Sequence, residues 1–499
     1  MIYLTPLLTL IALLDLTSAF SLPITRADTP NPSSTSINFT NAYNMGYLIT
    51  IEFDGQPIQV LLDTGSSDLW IDPGPTGVDL SRFVNTGMGA GLWYGSTVDS
   101  TVAQGPIVVG PVQIGDFKVD KQAFISATGS NATFPSMNDF GILGVAPASL
   151  IAFTLVNTSY NGRTFLDNVC IHDVPDEPNY ITLGFSRDLI YGITIGGTFT
   201  IGEVASDLAA VTKTPPRKVV YTLATFPRWS TTLDGIIVNG KTYNGNSKFN
   251  NTFVSAGQTI TMLDTGTGGA LLPRFYADAI FNDLPGAVFN ESRSTYIVPC
   301  DTKLNVSFVF GKDEYPLNPM DIFNVVDVSD SGELTCAGAF GVEDLSDVDI
   351  VLGDTFLRNV YALFDFGRWA TSGTGDPFVQ LLSVTNQAQA WNDFDSANTV
   401  RLNSYKKLSL GSSGGNTTNN AVPPSPSTLE NSNSELLRNS YVILGLLAGV
   451  IVLLVLFTLV ARGSKDGGHK SVPNVSSLRD GRAMLGDDFF TKSYAYSAP

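Results

Sequence analysis

The chain has 499 residues, of which 43% are hydrophobic and 15% charged, so it can form two or three domains with a substantial buried core. A formal net charge of -18 argues against nucleic acid as a partner, because neutralising phosphates requires clustered Lys and Arg. The only histidines are His172 and His469, and the cysteines, Cys170, Cys300 and Cys336, show no metal-binding spacing. Zinc sites, iron–sulfur clusters and histidine-based nucleophilic catalysis are therefore disfavoured, and carboxylates remain as the candidate catalysts.

The N-terminal residues 1–19 form an apolar run that ends in the small residues Thr17, Ser18 and Ala19. This pattern is typical of a signal peptide that is cleaved after Ala19. Residues 20–44 then form an N-terminal segment with room for only a short propeptide. The sequence leaves open whether such a propeptide must be removed.

The next part of the chain has the alternating pattern of β strands. Apolar residues occupy every second position of YLITIEF (47–53), the dipeptide DG (54–55) marks a turn, and the alternation resumes in a strand that ends at Asp63. Similar short runs with glycine turns, such as GPIVVGPVQIG and GIIVNGKTY, recur along the chain, and few long stretches show a helical period. We therefore predict an all-β ectodomain.

Two Asp-Thr-Gly turns follow apolar runs of the same kind, at Asp63 in VLLDTGSSDLW and at Asp264 in TITMLDTGTGGALL. One such tripeptide arises by chance in roughly one chain in ten of this length, and two with matching flanks are far rarer. Each turn is followed at similar spacing by an apolar pair and a glycine, Gly144 in DFGILGVAP and Gly353 in DIVLGDTFL. We expect two related lobes, residues 45–195 and 196–385, each bringing one acid to a shared cleft.

Two carboxyl groups within hydrogen-bonding reach do not both ionise easily, so such a pair shares one proton. The ionised member can take a proton from a bound water, which then attacks a peptide carbonyl, while the protonated member donates to the carbonyl oxygen. This chemistry hydrolyses an amide without a covalent intermediate, a metal or a cofactor. The two acids therefore predict a peptide hydrolase that works at acidic pH.

On these motifs, residues 45–382 resemble the pepsin-like aspartic endopeptidases, and the fungal membrane-anchored members are the nearest branch. The resemblance implies a bilobal fold of two related β lobes with the active-site cleft between them, and Asp63 and Asp264 as the catalytic pair. Aspartic proteases are the standard example of two carboxyls that share a proton. The residues implied to support the pair are Thr64, Gly65, Ser66, Thr265, Gly266 and Thr267.

The resemblance also implies a flap, a hairpin tip that closes over the substrate. Tyr94, Gly95 and Ser96 in LWYGSTV match this tip, and Trp70 matches the hydrogen-bond partner of the flap tyrosine. A plain hairpin turn is the alternative interpretation of this short motif.

The cysteines match the family in part. The resemblance implies a second-lobe disulfide between Cys300 and Cys336, whereas Cys170 is expected to be a buried free thiol. The usual first-lobe disulfide is missing, and Gly268 stands where a serine is common after the second turn. The second departure leaves some subsite contacts undefined.

The C-terminal part of the sequence predicts a membrane anchor. Residues 386–440 are interpreted as a linker and a stalk rich in Ser, Asn and Pro, and the uncharged run 441–461 would span about 31 Å as a helix. Lys and Arg are more frequent after this run than before it, so residues 462–499 are predicted to be a cytoplasmic tail. Candidate glycosylation sites on the opposite side are Asn38, Asn131, Asn157, Asn250, Asn290, Asn305 and Asn416.

The sequence therefore predicts an all-β, monomeric, single-pass type I membrane protein whose catalytic domain is extracellular or lumenal. Its predicted partners are protein or peptide substrates and, through one transmembrane helix, membrane lipid. The cell surface is the expected location, with the vacuole or the secretory pathway as alternatives. Two other functions stay open: a catalytically inactive pepsin-like binding protein, and a surface adhesin on a Ser-rich stalk.

Overall fold

The structure of the protein is a computed structural model that describes residues 36–95, 101–147, 149–172, 179–189, 192–221, 227–249, 253–329, 331–370, 375–411 and 494–495. The predicted signal peptide, residues 20–35 of the predicted propeptide segment, the predicted transmembrane run and most of the predicted tail lie outside the described residues, whereas Ser36–Ala42 of that segment form a strand of the fold. Within the described residues, no helix is both long and apolar enough to cross a bilayer.

The described chain consists mainly of β strands. In chain order they are β1 Ser36–Ala42, β2 Gly46–Phe53, β3 Gln56–Asp63, β4 Leu69–Ile71, β5 Val84–Tyr94, β6 Thr101–Ile114, β7 Phe117–Ser126, β8 Gly141–Gly144, β9 Tyr180–Phe185, β10 Ile193–Ile201, β11 Arg217–Lys218, β12 Ser230–Leu233, β13 Gly235–Val238, β14 Lys241–Tyr243, β15 Thr259–Leu263, β16 Ala270–Leu272, β17 Val288–Asn290, β18 Thr295–Val298, β19 Val306–Phe310, β20 Asp313–Pro316, β21 Phe323–Val328, β22 Leu334–Gly338, β23 Phe340–Val342, β24 Ile350–Leu352, β25 Val360–Asp365, β26 Phe378–Ser383 and β27 Tyr494–Ala495.

Helices are few and, with one exception, short. They are α1 Pro73–Thr76, α2 Leu150–Leu155, α3 Phe165–His172, α4 Arg274–Phe281, α5 Asp354–Leu357 and α6 Gln387–Gly411. Three single 3-10 turns, at Pro135–Met137, Pro319–Asp321 and Gly367–Trp369, and one eight-residue 3-10 helix, at Ser206–Lys213, lie in the described residues.

The predicted hairpin into the first Asp-Thr-Gly turn is confirmed. β2 and β3 pair antiparallel, and the turn between them has positive φ at Asp54 (51°) and Gly55 (79°), as a tight two-residue hairpin requires. The alternating apolar side chains of β2 point into the core, which explains the period of two in the sequence. β3 ends at Asp63, so the hairpin leads directly into the first Asp-Thr-Gly turn.

The two motif pairs of the sequence occupy equivalent places in the fold. β3 runs parallel to β8, and β15 runs parallel to β24, so each Asp-Thr-Gly strand lies beside its later glycine motif. A side chain at Gly144 would meet the Ser67 backbone at 2.5 Å, and one at Gly353 would meet the Thr267 carbonyl at 1.8 Å. Each glycine is therefore needed where the Asp-Thr-Gly turn passes across the neighbouring strand.

Both halves of the chain contribute to one large sheet. Its strand order is β11-β26-β25-β9-β10-β1-β2-β3-β8-β4-β7-β6-β5-β27, and the later half forms three further sheets of five, four and four strands. The lobe boundary predicted between residues 195 and 196 falls inside β10, which pairs with both β1 and β9. The two lobes are thus joined by shared strands rather than by a loop at that point.

The C-terminal end differs from the prediction at two places. Residues 387–411, predicted as linker, form α6, because Ala390, Phe394, Ala397 and Arg401 recur at helical spacing and are buried. The two residues of β27 pair in parallel with β5, at the edge of the large sheet. That pairing and a tail across a membrane exclude each other in one molecule.

A buried ion cluster ties the first strands to the later half. Asp321 accepts hydrogen bonds from Arg187 and Arg358, and Arg358 also donates to the Asn44 carbonyl at 2.6 Å. Burial acts to raise the pKa of Asp321, but the charges of Arg187 and Arg358 outweigh it and lower the pKa to about 2. The cluster therefore stays ionised through the acidic range.

Substituting Asp321→Asn is expected to lower the free energy of unfolding by about 3 to 5 kcal/mol at pH 7, because two buried guanidinium groups lose their counter-charge. Since the folded pKa of Asp321 lies below its ordinary value of 3.8, the loss should be complete above about pH 4 and should shrink as the pH falls toward 2. Urea unfolding between pH 2 and 7 measures this.

The control is Asp313→Asn, which removes the partner of Arg217 at a site where the Asp313 side chain is 43% exposed. That change should cost about 1 kcal/mol or less. Equal effects of the two substitutions would contradict the assigned role of the Asp321 cluster.

Candidate active site

Asp63 and Asp264 stand at the ends of β3 and β15 and are almost completely buried, with exposures of 1% and 0%. A Cβ atom on Gly65 would lie 2.5 Å from Asp264 Oδ1, and one on Gly266 would lie 2.5 Å from Asp63 Oδ1. Each carboxyl therefore rests against the glycine of the opposite turn. The two side chains are also hydrogen-bonded to each other.

Each turn holds its own carboxyl by the same two donors. The carboxyl of the first turn accepts from Gly65 N at 2.7 Å and from Ser66 Oγ. The carboxyl of the second turn accepts from Gly266 N at 2.8 Å and from Thr267 Oγ1 at 2.9 Å. Each carboxyl thus accepts one bond at each of its two oxygens, so the rotamers of both acids are set before any substrate binds.

Two threonines link the turns beneath the acids. Thr64 N donates to Thr265 Oγ1 and Thr265 N donates to Thr64 Oγ1, each at 3.0 Å. Each hydroxyl then donates across to a strand of the other half, Thr64 to Leu263 O at 2.9 Å and Thr265 to Leu62 O at 2.6 Å. Four buried bonds thus set the distance between the two carboxyls.

The surroundings of the two acids oppose the ionisation of Asp264. Burial raises the pKa of Asp264 well above its ordinary value, and the charge of Asp63 and the hydrogen bond to it raise it further. The pair therefore opposes the loss of both protons at once.

Sequence reasoning missed two buried acids near the pair. Asp354, at the start of α5, is fully buried, and within the described part of the chain neither of its carboxyl oxygens has a hydrogen-bond partner. Burial raises its pKa well above the ordinary value, so this carboxyl is neutral. Asp354 follows Gly353 in the motif DIVLGDTFL, where the repeated pattern indicated only the glycine.

The second missed acid is Asp68, three residues beyond the first turn. It accepts from Ser149 Oγ at 2.7 Å and from the N–H groups of Leu150 (3.0 Å) and Ile151 (2.9 Å), at the start of α2. It therefore fixes α2 against the turn, and burial raises its pKa. The acid was visible in DTGSSDLW, but its partners lie far along the chain.

Of the predicted flap residues, Tyr94 and Gly95 lie in the described part of the chain. Tyr94 ends β5, its hydroxyl accepts a hydrogen bond from Trp70 Nε1 at 2.6 Å, and the two ring centroids are 6.0 Å apart. Burial, followed by the charge of Asp63, raises the pKa of Tyr94 well above its ordinary value, so the phenol is neutral. Gly95 follows at a φ of 89°, and Ser96 lies outside the described residues.

Comparisons with known proteins agree with this arrangement. The sequence model of the family described as eukaryotic aspartyl protease matches residues 46–372. The chain belongs to the eukaryotic aspartyl protease family.

Named relatives are consistent with the family. The aspartic protease of Phaffia rhodozyma is 27% identical over 328 residues, which cover 64% of this chain and 73% of that protein. Penicillopepsin-2 of Penicillium janthinellum is 27% identical over 350 residues, 67% of this chain and 79% of that protein.

The solved structure of the aspartic proteinase from Irpex lacteus matches with a TM-score of 0.52 at 18% identity, covering 71% of this chain and 98% of that chain. The likeness shows the mostly β, bilobal, pepsin-like fold. Together with the family match and the named relatives, it supports the classification of this aspartyl protease as an aspartic-type endopeptidase.

The remaining candidate residues have varied surroundings. Cys300 and Cys336 form a disulfide with a Cα–Cα distance of 5.3 Å. The side chain of Cys170 is outside the described part of the structure. At Gly268, a Cβ would lie 2.6 Å from the Met45 carbonyl, so the serine common in the family would clash here with the turn after β1.

The candidate glycosylation sites are accessible to different degrees. Asn131 and Asn157 are exposed, whereas Asn290 and Asn305 are half-buried. Asn250 and Asn416 lie outside the described residues, and for Asn38 only the backbone is described. Their modification stays a prediction.

Substituting Gly65→Ala is expected to abolish measurable peptide hydrolysis, because the added Cβ would stand 2.5 Å from Asp264 Oδ1 and would force the two turns apart. Initial rates on a denatured protein at pH 4 measure the loss. Gly46→Ala is the matched control, since its Cβ would meet only Leu61 Cδ1 at 3.4 Å. Activity of Gly65→Ala close to that of the control would contradict the tight approach of the turns.

Proposed function

We propose that this protein is an active, membrane-anchored endopeptidase that hydrolyses peptide bonds of proteins by the joint action of Asp63 and Asp264. The observation that carries the proposal is the burial of two carboxyls between the two turns, each against the glycine of the opposite turn. Such a pair offers a base and an acid to one water and one carbonyl.

The reaction scheme uses two protons, one from the bound water and one carried by Asp264. The Asp63 carboxylate takes a proton from a water while the water oxygen bonds to the scissile carbonyl carbon, and Asp264 gives its proton to the carbonyl oxygen. The resulting diol collapses when the proton now on Asp63 passes to the leaving nitrogen, the C–N bond breaks, and a diol hydroxyl returns a proton to Asp264. The pair is then ready for another cycle.

The supporting residues have separate tasks in this scheme. Ser66 and Thr267 keep the outer carboxyl oxygens in place, and the cross-linked Thr64 and Thr265 keep the two acids at one distance. Tyr94, held by Trp70, ends the first strand of a hairpin that would cover a bound peptide and limit the access of bulk water. No metal or cofactor takes part in these steps.

Anchoring rests on the sequence. The uncharged run 441–461, the Ser-rich stretch before it and the excess of Lys and Arg after it support a type I span, with the protease outside the cytosol. Such a tethered, monomeric protease would act on substrates at the cell surface, in the wall, in a vacuole or along the secretory route.

An inactive binding protein is the competing function. Loss of catalysis in this fold would normally appear at the acids or at their donors. Here both Asp-Thr-Gly turns are intact, and each carboxyl keeps both donors of its own turn. This completeness favours the enzyme.

Each of the changes Asp63→Asn and Asp264→Asn is expected to lower kcat/KM by at least about 10³-fold, because either change removes the base or the shared proton. Hydrolysis of a denatured protein between pH 3 and 6, with and without pepstatin, provides the readout. Asp79→Asn, at an exposed acid, should keep wild-type activity. Near-normal cleavage by either of the first two variants would sink the two-acid mechanism.

In sealed vesicles that carry the full chain with an epitope added after Pro499, external protease should digest the epitope. The catalytic lobes should stay protected from the same protease. The control replaces Val450 and Leu454 with Arg, each at a cost of about 2.5 to 3.5 kcal/mol of insertion, and should no longer sediment with membranes after alkaline washing. An epitope protected together with the lobes, as the β5–β27 pairing requires, would contradict type I anchoring.

A further inference from the structure

Helix α6 contacts the later half of the chain through a buried arginine, Arg401, which is 8% exposed. The helix lies beyond residues 46–372, the part of the chain that matches the family. Arg401 Nη1 donates to the Met320 carbonyl at 2.7 Å and to the Phe323 carbonyl at 3.4 Å, and Arg401 Cζ lies 4.3 Å from the centroid of the Phe323 ring. One guanidinium group therefore holds the main chain on both sides of Asp321.

Arg401 is itself oriented by a neighbour in α6. Its Nη2 donates to Asn398 Oδ1 at 2.9 Å, and Asn398 Nδ2 donates to the Cys300 carbonyl at 2.8 Å. Phe394, about one helical turn before Asn398, is 1% exposed and belongs to the core. Polar contacts thus fix α6 at two places in the later half, the Cys300 segment and the turn that carries Asp321.

Asp321 connects Arg401 to the turn between β1 and β2. It accepts a hydrogen bond from Arg358 Nε at 2.9 Å, and Arg358 Nη1 donates to the Asn44 carbonyl at 2.6 Å. The next residue, Met45, touches the second Asp-Thr-Gly turn, because its carbonyl oxygen would lie 2.6 Å from a Cβ on Gly268. Contiguous contacts therefore lead from α6 to that turn.

Helix α5 joins Arg358 to the same turn by a second route. The Arg358 N–H donates to the Asp354 carbonyl at 2.9 Å, and the Asp354 N–H donates to the Thr267 carbonyl at 2.7 Å. Thr355 Oγ1 also donates to the Gly268 carbonyl at 3.3 Å. A displacement of Arg358 would therefore act on the Thr267–Gly268 backbone from two sides.

We propose that Arg401 is a positioning residue for the hydrolytic reaction, which holds Asp321 in place and, through Arg358, keeps the second Asp-Thr-Gly turn where the paired acids need it. This inference rests on the proposed function. A small displacement of a reacting group slows the chemical step, because the rate depends on the geometry of approach. The contribution of Arg401 should therefore appear in kcat rather than in KM.

The test uses the full chain and a fluorogenic peptide built around a bond that the wild type cleaves in a denatured protein. Rates at pH 4 are divided by the number of active sites titrated with pepstatin. Arg401→Met should lower kcat per site about 3- to 10-fold and leave KM within about twofold. Arg401→Lys keeps the charge but loses the flat group that stacks on Phe323, so its kcat should lie between those of the wild type and Arg401→Met.

Lys407→Met is the matched control, because it removes one positive charge from an exposed position of the same helix. It should keep the wild-type kcat per site. The titration separates positioning from stability, since a residue that only stabilises the fold changes the number of competent sites and not the rate at each. If Arg401→Met does not fold, Asn398→Ala, which removes the group that orients Arg401, should lower kcat per site about 2- to 3-fold.

A wild-type kcat per titrated site in folded Arg401→Met would overturn the inference alone, and so would an equal fall in Lys407→Met. If Arg401→Met does not fold, wild-type values in both Arg401→Lys and Asn398→Ala would overturn it. A wild-type protein without pepstatin-sensitive cleavage would instead overturn the proposed function, and this inference with it.

Discussion

The reciprocal hydrogen bonds between Thr64 and Thr265 are the interaction on which the site depends. They join two turns that are far apart in sequence, and each hydroxyl also bonds to a strand of the opposite half. Because all of these groups are buried, a relative shift of the halves would leave several polar groups unpaired at about 1 to 3 kcal/mol each. The separation of the catalytic acids is therefore a property of the joined lobes rather than of either turn.

That constraint explains why several neighbouring positions accept only one type of residue. Gly65 and Gly266 are required because each lies against the opposite carboxyl, and Gly144 and Gly353 are required because each turn crosses the next strand. The acids are held so deeply that one of them keeps its proton.

The sequence predicted the features that are local or repeated. The hairpin into Asp63, the two Asp-Thr-Gly turns and the later glycine motifs each have a short-range pattern, and the family resemblance placed Tyr94 beside Trp70. It did not predict features that depend on distant partners. α6 was interpreted as linker because its Ser and Asn content hid a narrow buried stripe. Asp68 and Asp354 have ordinary neighbours in the sequence, and their surroundings become apparent only in three dimensions. The close approach of Met45 to Gly268 is another such case, since the sequence showed the glycine but not the carbonyl that requires it.

The central claim is that two buried carboxyls of the two lobes share one proton, which resides on Asp264. Neutron diffraction from crystals of the deuterated protein at pH 4 to 5 tests this most directly. The account predicts a single deuteron between the two carboxyl groups, bonded to Asp264 and pointing to Asp63. Carboxyl groups too far apart to hydrogen-bond, or a deuteron on each of them in the active enzyme, would contradict it.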